Sequence, residues 1–131
     1  MLEFVTPADA RDQLRIDSDA DDRWLALWIP AVSASVAAWL KQEWRLYVLQ
    51  RDSSGVVVTD SSGTPLPVLD SDDLPIVQPA VIAATLLELA SQYRYREGES
   101  DNVVPSDAGH GYVLSRAATA QLAPLRRTTV A

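Results

Sequence analysis

Apolar positions recur at steps of three and four in two long stretches of the chain, the period of a helix with one buried face. The first stretch is Leu25, Trp28 or Ile29, Val32, Val36, Trp39 and Leu40, which predicts a helix reaching to about Trp44. Asp17 or Asp19 can cap it, and Asp21 and Asp22 suit a first turn. Pro30 cannot donate to the Ala26 carbonyl and crowds it, so a kink is expected there. Ala31, Ser33, Ala34, Ser35, Ala37 and Ala38 leave the other face small enough for close approach by another helix or subunit.

The second stretch is Ile82, Leu86, Leu89 and Tyr93, with Ala83, Ala84 and Ala90 beside it. Pro79 fits its first turn, after Gln78 or Val77, and Gly98 can close it beyond Arg96-Glu97. A short helix is expected earlier, opening on Thr6-Pro7-Ala8-Asp9 and ending near Leu14. Another runs from about Leu114 to Leu122, with Pro124 marking the exit into an extended tail. Between the two long helices the pattern changes. Leu46-Tyr47-Val48-Leu49 and Val56-Val57-Val58-Thr59 flank the turn residues Asp52-Ser53-Ser54-Gly55, which favours a β-hairpin. Ser61 to Pro65 and Asp70 to Asp73 read as loop, as does Glu99 to Gly111, and no internal repeat stands out. The expected fold is mainly α: a bundle of three or four helices with a long loop or β-hairpin excursion at 46–74. A helical body would span 1–111 and a C-terminal arm 112–131.

At 131 residues and 47% hydrophobic content the chain can bury a core as one domain. It has no cysteine and one histidine, which excludes disulfides, thiolate metal sites and multi-histidine cages. No apolar run comes near a membrane span, and Met1 to Thr6 lacks the features of a signal peptide. The formal charge of −7 argues against a grip on nucleic acid phosphates. The charge is uneven: acids crowd the first two dozen residues, while after Asp107 only Arg116, Arg126 and Arg127 are charged. An acidic body with a basic end suits docking between copies or onto another acidic surface.

Candidate chemistry is thin. Asp17, Asp19 and Asp21 open like an EF-hand loop, but Asp22 and Trp28 stand where its glycine and glutamate belong, so a capping turn is the better reading. His110 lies between two glycines with no nucleophile elbow to serve, and no phosphate-binding glycine motif exists. No catalytic residue, cofactor or metal is expected. Trp24 and Trp28 form a stripe separate from Leu25, Ile29 and Val32, and three helices can hardly bury both. Trp24 and Trp28 are therefore candidates for a subunit interface, and so are Arg94 and Arg96, cations expected at a helix end.

Pro7-Ala8-Asp9-Ala10-Arg11-Asp12-Gln13-Leu14-Arg15-Ile16-Asp17, then Asp19 to Asp22 and a long amphipathic helix, resembles the opening of the head–tail connector (adaptor, head-completion) proteins of long-tailed bacteriophages. Leu74-Pro75, Gln78-Pro79-Ala80-Val81-Ile82 and Tyr93-Arg94-Tyr95-Arg96-Glu97 resemble that family's second part, and Leu122, Leu125 and Arg126 its end. The likeness spans about three-quarters of the chain, departing at Pro30 and at 46–74. It implies a structural virion protein, made in host cytoplasm and placed at the head–tail junction. Copies would form a ring, a dodecamer by family habit, under the portal protein. The ring would extend the channel used in genome packaging and ejection and receive a tail-side stopper or tail-completion protein. DNA would pass without sequence-specific binding, and no membrane is involved. Portal contacts fall to Val113, Leu114, Arg116, Leu122, Leu125, Arg126 and Arg127 of the arm, whose removal should leave the body folded. The competing expectation is a small acidic helical module that regulates a cellular protein.

Overall fold

Thr6 shows how closely the local chemistry sets the first element. Its hydroxyl accepts from the Asp9 N–H at 3.1 Å, and the Asp9 carboxylate accepts from the Thr6 N–H at 3.3 Å. This reciprocal cap, with Pro7 in the first turn, opens α1 (Pro7–Leu14). The computed structural model describes residues 2–96 and 114–126. Within them follow α2 (Asp22–Leu40), a 3-10 turn (Glu43–Leu46), α3 (Pro79–Arg96) and α4 (Arg116–Arg126). The protein is mainly helical, and α3 is the central element, touching each of the other three helices.

α2 departs from expectation at both ends. Neither Asp17 nor Asp19 caps it; Asp21 holds the N-cap position without a side-chain cap bond. The acidic turn makes tertiary ties instead. Asp22 pairs with Arg11 of α1 through two hydrogen bonds of 3.0 and 3.1 Å, and Asp21 accepts from the Tyr93 hydroxyl of α3 at 2.9 Å. The helix ends at Leu40 rather than Trp44. Lys41 turns left-handed at φ 70°, and the Arg45 guanidinium donates to the Leu40 carbonyl at 2.8 Å. Pro30 lies inside the helix without ending it. By length and composition α2 could cross a membrane, more than its interrupted apolar runs suggest, yet Leu25, Ile29, Val32, Val36 and Leu40 are buried in the core.

The buried stripe of α3 is Val81, Ala84, Thr85, Glu88 and Leu89, one position round from the expected Ile82, Leu86, Leu89 and Tyr93. Ile82 and Leu86 are half-buried at its edge. The displacement follows from polar satisfaction. Thr85 donates its hydroxyl to the Val81 carbonyl at 2.8 Å, and Glu88 accepts from the Ser115 N–H at 2.7 Å. Both can therefore be buried without an orphaned polar group. On α2, Ser33 behaves alike: its hydroxyl accepts from the Phe4 N–H at 3.1 Å and pins the N-terminal segment.

α4 is a full partner in this core. Leu114, Ala118 and Leu122 are buried with the residues of α2 and α3, and Ser115 caps the helix through the Ala118 N–H. The helix continues through Pro124 to Arg126 rather than ending at Leu122. Residues 114–126 thus belong to the helical body, which corrects the division expected at 111. The rest of the expected arm, like the expected loop at 99–111, lies outside the described residues.

Between the 3-10 turn and α3 the chain forms no continuous strand, only five isolated antiparallel bridges. Three tight turns begin at Asp52, Asp60 and Asp70. In each, one aspartate oxygen accepts from two N–H groups: Ser54 and Val56, Ser62 and Thr64, Asp72 and Leu74. The fourth position is left-handed, with Gly55 and Gly63 at φ 81° and Asp73 at φ 61°. This is the three-residue hairpin loop with a bulge. An internal repeat is therefore present after all, its three copies unevenly spaced.

The segments joined by these turns close on one another in threes. Val48 donates to Ile76, Ile76 to Val68 and Val68 to Val48, at 2.8, 3.0 and 2.7 Å. In the next layer Gln50 donates to Leu66, Leu66 to Val58 and Val58 to Gln50, at 2.9, 3.0 and 2.9 Å. Each residue in these rings donates to one neighbour and accepts from the other, so no pair builds a ladder. Pro65, Pro67 and Pro75 occupy the alternate positions, where no donor is required. Leu46, Tyr47 and Val77 join this three-sided module to the helical core.

Candidate interaction surface

Seven large apolar side chains are exposed among the described residues: Leu2, Leu27, Val48, Val56, Leu69, Leu74 and Ile76. Five of them belong to the three-sided module, which makes it, rather than the helices, the apolar part of the surface. Four of these five fall in two places. Val48 and Val56, the latter 60% exposed, line an open groove of about 1000 Å³ between the first two hairpins and the body. Leu69 and Leu74, at 47% and 60%, flank the turn of the third hairpin.

The groove draws on distant parts of the chain. Trp44, Arg45 and Tyr47 come from the 3-10 turn and its exit, Arg51 from the first hairpin, and Pro124 with Leu125 from α4. Its lining includes both arginines and no carboxylate, in a chain whose formal charge is −7. Arg45 lies over the Trp44 ring at 5.3 Å. Its Nη1 is engaged by the end of α2, and its buried Nε has no partner among the described residues. Arg51 donates to the Gly55 carbonyl at 2.9 Å and is exposed. Burial, with the Glu43 carboxylate adding, pushes the Tyr47 phenol above its ordinary value of 10.0. The groove thus offers aromatic faces, valine side chains and cations, but no nucleophile with an adjacent base. Among the described residues no group of three carboxylates or histidines is placed to hold a metal ion.

The residues singled out from the sequence are scattered. Trp24 stacks on Trp28 at 5.7 Å and meets Tyr93 edge-on at 5.4 Å, and both tryptophans pack against the core. The second aromatic stripe thus finds much of its cover within the chain, on α3, where a partner subunit was expected to supply it. Arg94 is exposed at the end of α3, and Arg96 closes that helix. Leu114 and Leu122 are core residues, Arg116 is exposed, Arg126 stacks over the Trp39 ring at 4.6 Å, and Leu125 lines the groove. Val113, Arg127 and His110 lie outside the described residues.

Sequence reasoning missed Arg45, Arg51 and Glu88. A signal existed for the arginines, since both stand in the acid-free interval between Glu43 and Asp52. None existed for Glu88, which accepts from the Ser115 backbone N–H just before α4 and from the Gln92 amide on its own helix. Compared with protein-family models, with curated proteins and with solved structures, the chain matches none.

Proposed function

We propose that this chain is a structural virion protein, a head–tail connector adaptor whose copies ring the DNA channel beneath the portal and receive the tail-side protein. The observation that carries the reading is the placement of exposed apolar side chains. The helical body turns most of its apolar residues inward, while the module between α2 and α3 keeps five on the surface. Chains that work through assembly keep such patches for a partner. The motifs around Pro7 to Asp17, Gln78 to Ile82 and Tyr93 to Glu97 supply the resemblance to connector proteins. The charge of −7 suits a lumen through which DNA must slide without being held.

Electron micrographs of the purified chain mixed with the portal protein encoded by the same genome test this reading. Rings of density on the portal are the expected result. A portal left bare at saturating chain sinks the proposal and favours a regulatory binding module instead.

A further inference from the structure

The three turns of the module share a backbone but not a surface. The first two carry glycine at the left-handed position, followed by Val56 and Thr64. The third carries Asp73 there, followed by Leu74, and adds Asp72. Its sequence, Leu69-Asp70-Ser71-Asp72-Asp73-Leu74, therefore presents two exposed leucines around three carboxylates on a hairpin whose turn the Asp70 carboxylate ties. None of these residues lines the groove, so the turn does not fill the groove of its own chain.

Groove and turn are complementary. One has Arg45 and Arg51 without an acid, together with Trp44, Tyr47, Val48 and Val56; the other has three acids without a base, together with two leucines. We propose that the third hairpin of one copy docks in the groove of the next. The leucines cover the aromatic and valine surface, and Asp72 and Asp73 face Arg51 and Arg45. Because the two surfaces differ, the contact is head-to-tail, and it closes a ring when the rotation between copies allows. This deepens the adaptor reading and rests on it for the ring.

Charge reversal tests the contact. Arg51→Glu spoils the groove, and Asp72→Arg spoils the turn without touching Asp70, which holds the turn together. In sedimentation over a concentration series, each variant alone should self-associate about tenfold more weakly than the wild type. An equimolar mixture should regain association. Alternating copies then pair each groove made acidic with a turn made basic, and each intact groove with an intact turn. That recovery also shows both variants to be folded. Wild-type association in either variant, failure of the mixture to recover, or a wild-type chain that stays monomeric at millimolar concentration overturns the contact. Micrographs with portal separate the two ideas. Rings formed by both single variants overturn the contact and leave the adaptor reading standing, whereas a portal left bare by wild-type chain overturns the adaptor reading itself.

Discussion

Gly55, Gly63 and Asp73 occupy the same left-handed position in three related turns, and only the third bears a side chain. Space is not the constraint, because a methyl group on either glycine would meet nothing within 4 Å. The cost of substitution is conformational. Gly55→Ala should lower stability by about 1 kcal/mol in urea unfolding, whereas Asp73→Gly should cost nothing measurable. Tyr47 gives a pH-dependent effect. Its folded pKa lies above the ordinary 10.0, so the folded chain holds the phenolic proton more tightly than the unfolded chain. The resulting stabilisation is present below pH 10 and is lost as pH rises through the folded value. Thermal melts across that alkaline range should fall more steeply for the wild type than for Tyr47→Phe; parallel curves would refute the linkage.

The elements were legible to unequal degrees, for physical reasons. α1 was readable because its start is local chemistry, Thr6, Pro7 and Asp9 within one turn. The existence of α2 and α3 followed from periodicity, but the buried face of α3 did not. Glu88 looks solvent-facing until the Ser115 N–H, 27 residues away, is known to reach it. Glu88→Ala should cost about 1 kcal/mol in chemical denaturation, since it removes the acceptor of that partly buried N–H. Glu88→Gln, which keeps an acceptor, should cost less. Ser61 to Pro65 read as loop, yet the prolines at 65, 67 and 75, which cannot donate to a strand ladder, sit where alternating partners need no donor. The candidate surface was the least readable part, since its groove combines residues from the 3-10 turn, a hairpin and α4.

At the scale of the whole molecule, α4 decides what can be removed. The sequence alone suggested that the last twenty residues could be cut away from an intact body. Leu114, Ala118 and Leu122 are instead fully packed in the core. Loss of one buried leucine side chain alone costs about 2–5 kcal/mol, so deletion of 112–131 should leave a chain without a cooperative thermal transition. Cooperative melting of that truncation near the wild-type temperature would show α4 to be dispensable. The rings of backbone hydrogen bonds carry a different consequence. A surface rich in valine and leucine is normally dangerous, because open strand edges let further chains add on without limit. Here the N–H and C=O groups at 48, 50, 58, 66, 68 and 76 are all engaged within the chain. Another molecule meeting these layers finds side chains rather than a backbone template, so what it can bind is decided by their shape and charge.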